Sequence, residues 1–270
     1  MALQTPRSLR HEFLLYVEQE IEAYKDSVPR SVLLGIGDEA VAALHASQQM
    51  SLTELLLWEE VDRIISRRLR LPTFEAWKKR RLKLLAKYKN PAHWGLASDA
   101  PIVSAIPTSP DTRVLVAGVA SAPVVEGAAL YLAANGCEVT TVEPEEDVVE
   151  RVVHAATEAG LSERVRPMIA GLADWAPDAM LHAVLCTPAA FDGLGIEERA
   201  RVIALMQSAT ADGGVHLVQT LVAGQMATDG ASTDDVSLEE LRARYLGWDV
   251  SLSTEGGAGA VFLARKLHLA

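Results

Sequence analysis

Between residues 8 and 89 apolar side chains recur every three or four positions, whereas from residue 113 they gather in short runs set between helical stretches. The first pattern predicts helices. Residues 8–25 place Phe13, Leu14, Val17, Ile21 and Tyr24 on one face. Val28-Pro29 breaks that helix, because the residue before a proline avoids the helical region. Asp38 then caps a short helix over Glu39 to Ala46. Ser51 with Glu54 matches a capping box and opens a longer helix to about Leu69, striped by Leu57, Val61, Ile64 and Ile65. After Pro72, Thr73 caps a helix to about Lys89, with Phe74, Trp77, Leu82 and Leu85 inward, and Asn90-Pro91 ends it. Residues 97–112 carry Pro101, Pro107 and Pro110 with little periodicity, and so predict a linker. The expected division is a helical region over 1–96, a linker over 97–112, and an α/β domain over 113–270.

In the second pattern, Val114 to Ala117 reads as a buried strand. Gly118, Ala120, Ser121 and Ala122 make a small-residue turn, and Pro123 opens a helix where its missing N–H costs nothing. Asn135-Gly136 stops that helix, and a second strand, Glu138 to Val142, ends at Glu143. A helix over about Glu145 to Ala159, a strand from Arg164 to Ile169 and a strand from Met180 to Cys186 follow. A helix over Ile196 to Ala211 comes next, then the turn Asp212-Gly213-Gly214 and a fifth strand, Val215 to Thr220. Residues 223–236 read as a polar loop. A short helix over Leu238 to Tyr245 precedes two strands, about 248–254 and 259–267, joined through Gly256-Gly257. This is an α/β pattern built on a β-α-β unit, with a closing hairpin.

Composition narrows the function. Apolar residues make up 49% of the 270, enough for a full core. No apolar run is long enough to span a membrane, and the start, MALQTPRSLRHEF, has no apolar signal segment. With two cysteines, Cys137 and Cys186, outside any metal or disulfide spacing, the expected setting is a reducing cytoplasm. The formal net charge of −11 argues against broad nucleic-acid binding. Residues 63–89 run the other way, with eleven Lys or Arg against one acid, Glu75. They read either as a solvated helix face or as a site for an anionic substrate or RNA.

The strand–turn–helix–strand unit at 113–143 suits a nucleoside-containing cofactor. Its turn brings backbone N–H groups and a helix N-terminus close to a ligand. Glu143, at the end of the second strand, can accept hydrogen bonds from ribose hydroxyls. A nicotinamide fingerprint would need glycine at 118, 120 and 123, where the chain has Gly118, Ala120 and Pro123. The seven histidines show no ligand spacing, so no metal site is expected, and no Gly-x-Ser-x-Gly elbow is present. No catalytic acid or base can be named.

The segment VLVAGVASA resembles the first motif of the class I S-adenosylmethionine-dependent methyltransferases, usually written VLDLGCGTG. ALYLAANGCEVTTVE resembles the helix and strand that follow, above all in the small-molecule group around the tellurite-resistance and thiopurine methyltransferases. AGLADWAP falls at the adenine-side motif, HAVLCTPAAF at the fourth strand, and ATADGGVHLVQT at the glycine turn and fifth strand, so the resemblance spans about residues 111–267. The family's acid before the first glycine is Val116 here, two of three motif glycines are Ala120 and Ala122, and the aspartate of the adenine-side motif is Leu172.

The resemblance implies a Rossmann-like seven-stranded sheet and S-adenosylmethionine held by Gly118, Ala120, Ser121, Ala122, Glu143, Asp174 and Trp175. Asp174 would accept from the adenine and Trp175 would wall it; as plain structure, Asp174 caps a turn and Trp175 is core. Thr187 and Phe191, after the fourth strand, would shape a substrate pocket or simply form a loop. The leading reading is methyl transfer to a small molecule beneath a helical cap. A catalytically silent relative that binds a ligand or partner, an RNA methyltransferase using the basic helices, and a homodimer through the N-terminal helices remain as alternatives.

Overall fold

The computed structural model describes residues 8–46, 54–119, 123–220, 238–255 and 259–267. It divides into two compact units, Met1–Leu84 and Leu85–Ala270. That division falls before the boundary at 96 read from the sequence.

The first unit is helical. Helix α1, Leu9–Ser27, is capped by Ser8, whose hydroxyl accepts from the His11 N–H at 3.2 Å. Helix α2 spans Arg30–Ala46 and α3 spans Glu54–Arg68. Helix α4, Phe74–Tyr88, begins in this unit and runs into the next. Ile21, Ile36, Ala40, Val61, Ile64 and Ile65 make the core. The short helix expected over Glu39 to Ala46 is corrected here: α2 starts at Arg30, directly after Pro29. Two glycines, Gly35 and Gly37, argue against helix locally, at about 1 kcal/mol each. Ile36, Ala40 and Leu44 recur one turn apart and are all buried, which outweighs that cost. The Ser51 half of the expected capping box lies outside the described residues.

The second unit is a seven-stranded sheet in the order β3-β2-β1-β4-β5-β7-β6. Its strands are β1 Arg113–Ala117, β2 Glu138–Glu143, β3 Val165–Ile169, β4 Leu181–Cys186, β5 Thr210–Thr220, β6 Trp248–Glu255 and β7 Gly259–Lys266. The first five run parallel, and β7 is antiparallel to both neighbours. The expected closing hairpin is therefore present, with its Gly256-Gly257 turn outside the described residues. Helices α5 Pro101–Ala105, α6 Pro123–Ala134, α7 Glu146–Ala159, α8 Ile196–Ala209 and α9 Leu238–Arg244 complete the unit. One face of the sheet packs against α6 and α7, the other against α8 and α9. Alternation along β1 divides its side chains, Val114 and Val116 to the first face, Leu115 and Ala117 to the second.

Residues 97–112 carry α5 and sink Ala100, Ile102 and Ile106 into the first of these cores. Just before them, Trp94 seats its backbone on α6: a Cβ at Gly127 would lie 2.3 Å from the Trp94 carbonyl oxygen. The fifth strand is also corrected. It begins at Thr210, five residues before the expected Val215, and α8 ends at Ala209 rather than Ala211. Thr210 pairs with Leu181, and the ladder slips a register before Ala183 pairs with Val215, so Asp212-Gly213-Gly214 is absorbed within the strand.

Candidate functional site

The strand order changes direction between β1 and β4, which are neighbours in the sheet but are separated by β2 and β3 in the chain. Ligands of open parallel sheets bind in the crevice beyond the carboxyl ends at such a point. Ala117 faces Cys186 across β1 and β4, and Ala117 faces Val142 across β1 and β2. Gly118, Thr187 and Glu143 therefore leave three adjacent parallel strands at one edge.

Gly118 has a φ of +76°, where only glycine is free of strain. A Cβ there would fall 2.2 Å from Thr187 Oγ1 and 2.9 Å from the Ala190 N–H nitrogen. The Thr187 hydroxyl donates to the Gly118 carbonyl at 2.8 Å, and the Thr187 N–H donates to the Ala117 carbonyl at 3.2 Å. Thr187 is 2% exposed. The turn residues Ala120, Ser121 and Ala122 lie outside the described residues.

Glu143 is 3% exposed at the end of β2. Its carbonyl accepts from the Ala170 N–H at 3.1 Å, which ties β2 to the chain leaving β3. Beyond β3, Asp174 is exposed in a turn closed by its own N–H to the Gly171 carbonyl at 3.0 Å. Trp175 is 5% exposed and sits in the core on the α8 side, together with Leu172 and Phe191. Phe191, on a 3-10 turn over Pro188–Phe191, is 1% exposed. Gly118, Thr187 and Glu143 thus follow the carboxyl ends of three adjacent strands, and the Trp175 and Phe191 rings lie buried together on the α8 side.

Cys186, the last residue of β4, is fully buried, and burial pushes its thiol up to about 12, which disfavours the thiolate. Among the described residues no group of three or more His, Cys, Asp or Glu is placed to hold a metal ion. A cavity of about 410 Å³ lies elsewhere, along the edge strand β6 and lined in part by Tyr245, Trp248 and Leu252.

Sequence reasoning missed one buried network. His216 on β5 is fully buried between Thr210 and Tyr245, each 2.7 Å from a ring nitrogen. The Thr210 hydroxyl donates to the Met206 carbonyl at 2.7 Å, so it must accept from His216 Nε2–H. Nδ1 then accepts from the Tyr245 hydroxyl. Lys266 donates to the carbonyls of Gln207 and Thr210 at the end of α8. Polar His216 inside an otherwise apolar strand, VHLV, is the signal that marks it.

No protein-family profile matches the chain, and no curated protein does. Solved structures do. The CcbJ methyltransferase from Streptomyces caelestis is 17% identical, with a TM-score of 0.50, over 67% of this chain and 90% of that one. The glycopeptide N-methyltransferase MtfA complexed with S-adenosyl-L-homocysteine is 12% identical, with a TM-score of 0.48, over 67% and 90%. TehB from Haemophilus influenzae is 19% identical, with a TM-score of 0.46, over 57% of each chain. The fold assignment rests on the CcbJ match together with the strand order and the antiparallel seventh strand. The chain has the Rossmann-like fold of the class I S-adenosylmethionine-dependent methyltransferases.

Proposed function

We propose that the chain binds S-adenosylmethionine and transfers its methyl group to a small molecule. One observation carries the proposal: Gly118, Glu143 and Thr187 leave adjacent parallel strands at the point where the sheet order reverses. Support comes from the sequence resemblance at 113–143 and from the fold shared with the CcbJ methyltransferase.

The residues at that edge fit the group. A carboxylate offers about four acceptor sites, so Glu143 can take ribose hydroxyls beside its protein partners. The left-handed Gly118 keeps side-chain bulk out of the turn that would meet the methionine end. S-adenosylmethionine, when bound, supplies a methyl group already activated by a positive sulfur. The chain's own part is then to hold the acceptor in line and to exclude water. This fits a sequence in which no general base can be named. The small-molecule class rests on the resemblance to the tellurite-resistance and thiopurine group.

Val116, Ala120 and Ala122, which replace the family's acid and two glycines, favour a second reading, a silent relative that has kept only the fold. Thermal unfolding separates the two. Ligand that binds the folded state raises the midpoint by mass action. A concentration-dependent rise with S-adenosylmethionine and S-adenosylhomocysteine is expected, and no rise with either would favour the silent relative.

A further inference from the structure

We infer that Thr187 is a positioning residue for the cofactor turn: its hydroxyl holds the Gly118 carbonyl and so sets how the chain leaves β1. The inference rests on the proposed S-adenosylmethionine site. The regular ladder between β1 and β4 ends at Ala117 and Cys186. One step further, the Thr187 N–H still reaches the Ala117 carbonyl at 3.2 Å, and its hydroxyl reaches the Gly118 carbonyl at 2.8 Å. The threonine therefore continues the pairing of the two strands with a side chain where the backbone can no longer do so.

Three features aim that hydroxyl. Pro188 keeps Thr187 extended, at φ −101° and ψ 165°. The branched side chain restricts its own χ1. The hydroxyl also fills the space a side chain would take at 118, since a Cβ there would lie 2.2 Å from it. Both partners are buried, so the bond is made out of water.

The consequence passes through one peptide unit. The amide between Gly118 and Val119 is planar, and in a trans peptide the carbonyl and the following N–H point opposite ways. Fixing the Gly118 carbonyl against Thr187 thus fixes the Val119 N–H, directed away from Thr187. That N–H is among the backbone donors of the turn proposed to meet the cofactor. Thr187 acts at one remove, through backbone.

Calorimetric titration with S-adenosylhomocysteine tests this on the full chain, Thr187→Val and Thr187→Ser. Thr187→Val keeps the shape and removes the hydroxyl. Its affinity should fall, by up to roughly tenfold, with one site per chain retained: the bond is made in the free chain too, so the value of one buried hydrogen bond is the ceiling on what its loss can cost binding. Thr187→Ser, which keeps the hydroxyl, should restore most of that loss. Should the valine variant not fold, Thr187→Ala removes the same hydroxyl without bulk beside Gly118 and is read in the same way. A lower thermal midpoint or a lower fraction of active chain at unchanged affinity would mark Thr187 as a strand tie alone and overturn the inference. Absence of binding by the wild type would remove the proposed site itself, and the inference with it.

Discussion

The place of Glu143 at a strand end was legible because an apolar strand stopped on an acid, and the structure buries it at the end of β2. Glu143→Gln should weaken S-adenosylhomocysteine binding by about 1–3 kcal/mol, the range for a lost buried hydrogen-bonded partner. Equal affinity in titrations of the two proteins would remove Glu143 from the site. The bond between Thr187 and Gly118 was not legible, because it joins residues 69 apart that meet only once β1 and β4 pair. His216 carries a pH dependence of its own. Burial, with the Lys266 charge behind it, pushes its imidazole from 6.5 down to about 3. The unfolded chain takes up this proton as pH falls through 6.5, and the folded chain does not until about 3. The stability linked to neutral His216 is therefore complete above that upper value and is lost as pH falls through the window, at no more than about 1.4 kcal/mol per pH unit. Urea unfolding across the window should show a shallower pH slope in His216→Gln than in the wild type. Equal slopes would contradict the assignment.

Helices and strands differed in how far local pattern decided them. β1, β2 and the closing hairpin followed their apolar runs closely. α2 did not, because Gly35 and Gly37 weaken the local helix signal while Ile36 and Ala40 are buried only through packing with α1 and α3. β5 did not, because its first residues are strand only through pairing with β4. Apolar stripes on α1 and α3 need partners, and Leu34, Leu55 and Trp58 are still exposed. The sequence reading makes these helices a cap on the cofactor site; the competing arrangement is a module for a partner or a second copy. Hydrogen exchange with S-adenosylhomocysteine should slow within residues 8–25 or 51–89 if they cap. Protection confined to 113–190, with a chain shortened to begin at residue 111 binding as tightly, would rule the cap out.

At the scale of the whole molecule, charge is the property read most directly from sequence. A net −11 surrounds one basic stretch at 63–89. In the helical unit the stretch is partly engaged, as Arg81 pairs with Glu12 at 3.1 Å and Arg68 with Glu39. Weak nucleic-acid binding is therefore expected. Filter binding to RNA and duplex DNA at rising salt checks it, and submicromolar affinity with a steep salt slope would overturn it. No helix among the described residues is long and apolar enough to cross a membrane. The alternation of strands and helices was legible, whereas competence for the cofactor was not, because Val116 within β1 and Ala120 and Ala122 after it depart from the motif, and the letters alone do not give the shape that follows. Calorimetric titration of the full wild-type chain with S-adenosylhomocysteine meets that question most directly. The account predicts saturable binding at one site per chain, and a flat titration at ligand concentrations up to about 1 mM, the point at which binding free energy has shrunk to about −4 kcal/mol, would contradict it.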